Sequence, residues 1–240
     1  MNLKEKFFDL FDLYLEKKTS KQDISRLLKK LLPYRIDYDL IRLGEDNDGG
    51  YLIPNDLSGI TKNYTAGIGS LTKFERDLEE KYSIKSNMVD FNDIDKDILP
   101  NQSIFLRKKL SLVSNTDELS MNDWLDDEEK EIILKMDIEG DEYLNLASVN
   151  EKNLKKIRIL ILEIHDLRNL RNSFFFKTFE KIFLRLSNIF YVCHLHINNA
   201  SKIKEIGGYK IPDMLELTLI RKTKALSYHG MKFCFISFSL

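Results

Sequence analysis

The 240-residue sequence predicts an open, doubly wound α/β domain with a mainly parallel sheet, an antiparallel pair of strands at one edge, and helices ahead of it. Three observations predict this. Short apolar runs alternate with amphipathic helical stretches almost throughout, the pattern of a sheet covered on both faces. Two of the runs, Ile132–Met136 and Ile157–Ile164, read as strands buried on both faces. The last two strands, Phe190–His196 and Met214–Arg221, are joined without an obvious crossover helix, so they read as an antiparallel pair.

Each element follows from local signals. Phe7, Leu10, Phe11 and Tyr14 share one face of a helix over residues 3–16, and Ile24, Leu27, Leu28 and Leu31 repeat that spacing in a second. Ser20 with Asp23 forms a capping-box start for the second helix, and Pro33 stops it. These helices make up residues 1–36, ahead of a catalytic domain over 37–224 and an apolar tail over 225–240. Ile41–Leu43 and Tyr51–Ile53 flank the turn-rich loop Gly44–Gly50. A strand at 62–67 runs into Gly67-Ile68-Gly69, then a helix over Phe74–Tyr82, a strand over Ser86–Val89 and a weak one over Ile104–Leu106. Glu142–Leu154 and Phe174–Ser187 read as helices. The whole is a Rossmann-like arrangement.

Composition bounds the function. Lys+Arg 37 against Asp+Glu 38 gives a net charge of −1, without the basic excess of a nucleic-acid binder. Two cysteines, Cys193 and Cys234, cannot build a disulfide framework. No apolar run reaches the roughly 18 residues of a spanning helix. The opening Met-Asn-Leu-Lys-Glu-Lys is unlike a secretory signal. The expectation is a cytoplasmic protein with no nucleic-acid partner and no integral membrane association. A homodimer through the N-terminal helices or the tail fits their apolar faces.

Ligands of open α/β sheets bind outside the carboxyl ends of the strands, so polar residues at strand ends matter most. Gly67 and Gly69 close the first wound strand, where glycine lets backbone approach a ligand. Roughly 20 residues on, Asp90 ends the next strand and can accept hydrogen bonds from a ribose diol. Gly-x-Gly alone is often a tight turn; with the acid in place it points to a nucleoside-type ligand. Large residues stand where a dinucleotide fingerprint has its third glycine, which argues against NAD.

Asp137 follows one strand, and Glu163 and His165 share a face at the end of the next. Two carboxylates and an imidazole together are costly unless charge is used. His194 and His196 share a face of a later strand, followed by Asn198 and Asn199. A single histidine is usually structural; three at strand ends point to a catalytic or metal role.

The stretch Leu134–Tyr143, containing Asp137-Ile138-Glu139-Gly140-Asp141-Glu142, resembles the Asp-x-Glu-Gly-x-Glu signature of FkbM-type methyltransferases. Arg42-Leu43-Gly44, Asn47–Tyr51, Phe74-Glu75, Leu162–His165, His196–Asn199 and Ile211–Thr218 are similar to a bacterial and viral branch of that family, and their order together is specific. The resemblance implies a class I methyltransferase fold with S-adenosylmethionine as methyl donor. It places Gly67, Gly69 and Asp90 at the donor site, with the loop carrying Asp48, Gly50 and Tyr51 closing over donor or acceptor. The first glycine loop departs from the family's Asp-x-Gly, since Thr65-Ala66 precede Gly67.

O-methyl transfer needs an acceptor oxygen held in line and a group to take its proton. His196 or His165 is the candidate base, oriented by Asp137 and Glu163. Alternatively, Asp137, Glu163 and His165 hold a divalent cation, Mg²⁺ or Mn²⁺. Glu139 and Glu142 suit the strand-to-helix turn, while Glu216 either reaches the site or faces solvent. Asn198, Asn199 and Tyr209 can hydrogen-bond a polyol. A sugar or nucleotide-linked sugar used in surface polysaccharide biosynthesis is the acceptor expected from the resemblance. An NAD-dependent nucleotide-sugar oxidoreductase and a non-catalytic scaffold are the rivals.

Overall fold

The computed structural model describes residues 17–224. The helix expected over residues 3–16 and the tail over 225–240 lie outside the described residues, and with them those parts of the expected dimer contact; the second N-terminal helix is described. Helix α1 (Lys21–Leu31) buries Ile24, Leu27, Leu28 and Leu31, and Ser20 caps it by accepting from the Asp23 backbone N–H at 3.1 Å. Each of those side chains is worth roughly 1.5–3 kcal/mol in removed apolar surface. Among the described residues no helix is long and apolar enough to cross a membrane.

The central sheet has seven strands. In chain order they are β3 (Lys62–Ala66), β4 (Lys85–Asp90), β5 (Ile104–Arg107), β8 (Ile132–Met136), β9 (Ile157–Ile164), β10 (Phe190–Ile197) and β13 (Leu215–Arg221). Their spatial order is β10-β13-β9-β8-β3-β4-β5. The five strands from β9 to β5 are parallel, and β13 is antiparallel to both β9 and β10. The expected antiparallel pair is present, but β13 inserts between β9 and β10 and leaves β10 at the edge. Strand order reverses between β3 and β8, so the crevice of a doubly wound sheet opens there.

Alternation along the strands sorts the core into two layers. Leu134, Met136, Leu160 and Leu162 face one side, packed with α1 and with α6 (Ser173–Ile189). Ile133, Ile159 and Ile161 face the other. That side is covered by the hairpin β1 (Leu40–Gly44) and β2 (Gly50–Pro54), and by α2 (Lys73–Tyr82). Lys135, Asp137, Glu163 and His165 share the parity of the second set, so they extend its face past the hairpin.

Two sequence expectations change. The single helix expected over Glu142–Leu154 is two, α4 (Glu142–Ser148) and α5 (Glu151–Leu154). Val149 and Asn150 are extended, and the Asn150 side chain accepts from the Asn153 N–H. Asparagine prefers that capping role over a helix interior. A hairpin of β11 (Ile203–Ile206) and β12 (Tyr209–Pro212), turning on Gly207-Gly208, fills the connection between β10 and β13. Two short strands, β6 (Lys109–Ser111) and β7 (Glu118–Ser120), lead to α3 (Met121–Asp126).

Candidate active site

The first cleft forms at the strand-order reversal. It encloses about 410 Å³ and is lined by Gly67, Asp90, Leu110, Asp137, Ile138 and Glu139, among others. Gly67 has φ 79°, and a Cβ there would lie 1.6 Å from the Asp137 carbonyl oxygen, so the turns after β3 and β8 meet only because position 67 is glycine. Asp90 accepts from the backbone N–H of Ile68 and of Asn92, both at 2.8 Å. Those bonds fix its carboxylate at the rim and leave lone pairs for a ligand. Gly69 also has positive φ, and space around it is open.

A second pocket of about 290 Å³ lies beside the cleft. Five carboxylates line it, from Asp48, Asp137, Glu139, Glu163 and Glu216, together with His165, Asn198 and Asn199. Asp137 and Glu139 line both spaces. The pocket is a row across strand ends: Glu216 on β13 is in register with Glu163 on β9 and with His196 on β10. Like charges directly opposite destabilise a sheet. Asn198 Nδ2 donates to Glu163 at 2.7 Å and offsets part of that repulsion.

The turn after β8 is built to present these groups. Glu139 has φ 56° and Gly140 φ 105°, two consecutive residues in sparsely populated backbone. Glu142 holds the turn, accepting from the N–H of Ile138 and of Gly140 at 2.8 Å each. The same carboxylate lies 3.1 Å from His165 Nδ1. The His165 side chain is 8% exposed, and its Nε2 faces Glu139, Asp137 and Glu163 oxygens at 3.6, 3.7 and 3.9 Å.

Electrostatics follow from this crowding. Burial, then the charge of Asp137, pushes Glu163 up to about 8. Burial, then Asp48, raises Glu216 to about 7. Asp137 is raised chiefly by burial, against the opposing pull of Lys135 and His165. Burial alone depresses His165, but the Glu142 hydrogen bond and the charges of Glu142, Asp137 and Glu163 outweigh it and raise the imidazole to about 9. A neutral imidazole base at pH 7 does not fit that setting.

Asp137, Glu163, His165, Asn198 and Asn199 therefore come together, and Gly67 and Asp90 line the adjoining cleft. Other expected residues do not join them. His196 lines a smaller pocket of about 160 Å³ with His194, Arg42, Gly50 and Tyr51, and only Glu216 and Asn199 are shared with the acidic pocket. The loop expected to close over donor or acceptor, with its residues assigned to the cofactor, therefore faces the acidic side. Asp48 reaches the acidic pocket, and none of Asp48, Gly50 and Tyr51 lines the donor cleft. Gly50 has a local reason as well, since a Cβ there would meet the Glu45 carbonyl oxygen at 1.8 Å. Tyr209 is absent from the site: Lys21 Nζ lies 5.7 Å over its ring, in a basic groove along α1.

Sequence reading left Glu216 undecided and gave Glu139 and Glu142 only to the turn. Glu142 does serve the turn, and it also orients His165. Its position six residues after the strand was the signal, though the partner 23 residues away was not legible.

Comparison with known proteins adds a family. A model described as the methyltransferase FkbM domain matches residues 46–191, more than half of the chain. Among solved structures, the chain is similar to a crystal structure of a fibrillarin/Nop5p complex at 12% identity, covering 69% of this chain and 74% of that one with a TM-score of 0.39. It is also similar to human methyltransferase 10 domain containing protein at 9% identity, covering 88% and 82% with a TM-score of 0.37. No curated protein sequence matches.

Proposed function

The chain belongs to the FkbM methyltransferase family, and on that premise we propose that it moves the methyl group of S-adenosylmethionine to a hydroxyl of a sugar or nucleotide-linked sugar, in the cytoplasm, for surface polysaccharide biosynthesis. One observation carries the reading. Asp137, the more buried of the two carboxylates that line both the glycine-edged cleft and the acidic pocket, stands where donor and acceptor spaces meet.

The cleft fits the donor. Val89, Leu110 and Ile138 offer apolar walls for a base, Asp90 offers acceptors for a ribose diol, and Gly67 leaves no side chain in the way. S-adenosylmethionine supplies a sulfonium whose methyl carbon is open to in-line attack. The rest falls to residues of the chain. Carboxylates accept hydrogen bonds from several hydroxyls at once, which suits a polyol. They repel phosphate, so the glycosyl end of a nucleotide-linked acceptor enters the pocket and its diphosphate stays outside. Asp137 takes the hydroxyl proton; burial makes it a stronger base than a free carboxylate. Glu163, held by Asn198, positions the acceptor, and His165 balances the negative charge in the absence of a cation.

The test is release of S-adenosylhomocysteine by purified protein given S-adenosylmethionine and a panel of nucleotide sugars, free sugars and amines. Turnover with hydroxyl acceptors, lost in Asp137→Asn, is expected. Turnover with amines alone would sink the O-methyl assignment. Tight NAD binding without response to S-adenosylhomocysteine would replace the reaction class.

A further inference from the structure

The acidic pocket is lined by five carboxylates and by no lysine or arginine among the described residues. Acidic clusters are common without a ligand, so the count alone decides nothing. His165 adds an independent observation. Its side chain is more than nine-tenths buried, and Nδ1 is engaged by Glu142 at 3.1 Å. Nε2 makes no hydrogen bond among the described residues; it points at carboxylate oxygens 3.6 to 3.9 Å away. A buried ring nitrogen aimed at three carboxylates and bonded to none is a donor without its acceptor, or a ligand without its ion.

We propose that Nε2 of His165 and the carboxylates of Asp137 and Glu163 bind one divalent cation, with Glu139 completing the set from the exposed side of the turn. Glu142 is excluded as a ligand although its oxygens lie close to Asp137 and His165. Both of its oxygens already accept backbone N–H groups, and it faces Nδ1. It instead does what outer carboxylates do at imidazole–metal sites: it fixes the ring and its tautomer. One imidazole with several carboxylates selects a hard or borderline ion such as Mn²⁺, Mg²⁺ or Fe²⁺ over structural Zn²⁺. Asp137 keeps its second oxygen for the acceptor, and neutral vicinal hydroxyls complete the coordination. This use of the ion rests on the methyl-transfer reading; the binding itself does not.

The experiment titrates the full chain with Mn²⁺ alone, followed by electron paramagnetic resonance and calorimetry, with S-adenosylhomocysteine binding measured on the same samples. One saturable Mn²⁺ per chain is expected, weakened at least about tenfold by Glu163→Gln and by His165→Asn, and unchanged by Glu205→Gln, an exposed residue of β11 outside the pocket. Thermal melts identify a variant that fails to fold, and Glu163→Gln serves if His165→Asn does so. Absence of saturable Mn²⁺ binding to the wild-type chain, or equal affinity in Glu163→Gln, overturns the site. S-adenosylhomocysteine binding without Mn²⁺ sinks the cation alone; Mn²⁺ binding without S-adenosylhomocysteine sinks the methyltransferase reading alone.

Discussion

Lys135 and Asp137 stand two residues apart on one face of β8 and its end, yet the charges around them are arranged in opposite ways. Lys135 is inside the sheet, 3.1 Å from a fully buried Glu75, with its ammonium over the rings of Tyr51 and Phe74 at 5.2 and 5.6 Å. Thr65 Oγ1 donates to the same Glu75 oxygen at 2.8 Å. The second Glu75 oxygen and the nearby Asn63 Oδ1 lack a hydrogen bond. There a buried charge has been matched within the chain. At Asp137 four further carboxylates gather around one histidine, and like charges face each other across β9 and β13. Interior charge that is matched holds a fold together; interior charge left unmatched is available to a ligand. Thr65 belongs to the matched group through that bond.

The comparison can be broken from either side. The largest effect belongs to the matched cluster: Glu75→Leu leaves Lys135 buried without its partner and is expected to lose about 3–5 kcal/mol of stability by denaturant melt. The double variant Glu75→Leu with Lys135→Met recovers most of it. If the single change is silent, the cluster is not the structural solution described. Next comes Asp137→Asn, for which activity falls roughly 100-fold while the melting temperature holds or rises, because an uncompensated charge is removed. A large loss of stability there would put Asp137 with Lys135 and erase the contrast.

Asp90 sharpens the distinction with a carboxylate satisfied by backbone alone. Asp90→Asn is expected to weaken S-adenosylhomocysteine binding about tenfold, or about 1.4 kcal/mol, in calorimetry, without touching acceptor KM. The smallest effect is at Asp77. Burial pushes this acid up, but the Gly44 N–H at 2.9 Å and Lys81 at 2.9 Å outweigh it, so its folded value lies below the ordinary carboxylate value of 3.8. A depressed carboxylate stabilises above its unfolded value and stops doing so as pH falls through the folded one. The advantage over Asp77→Asn, on the order of 1 kcal/mol, is therefore expected at pH 7 and closes below pH 3.8 in an acid melt series. A gap that stays the same from pH 7 to the acid end of the series would show the effect is not ionic.

Much of the fold was legible because its signals are local. The period of two along β9 puts Glu163 and His165 on one side without reference to any other segment, whereas bringing Asp137 beside them takes the parallel pairing of β8 with β9. Ser20 caps the Asp23 N–H, and Pro33 follows the end of α1 as expected. The break at Val149-Asn150 was missed because a capping asparagine inside an apolar pattern reads as an ordinary helical position. Tyr209 was placed at the site for its hydroxyl, and nothing local shows that its hairpin packs on α1.

By itself the sequence determined the class of sheet and the strand ends that carry charge; that Gly67 also keeps two turns from colliding came from the structure. The tertiary structure alone decided that β13 slides between β9 and β10, which sets Glu216 against Glu163 and moves His196 out to the neighbouring pocket. It also decided that Glu142 reaches His165. The reason is that side-chain direction along a strand is fixed by the backbone of that strand. Which strand lies beside it, and in what register, is set by long-range packing of apolar faces that no short window of residues contains.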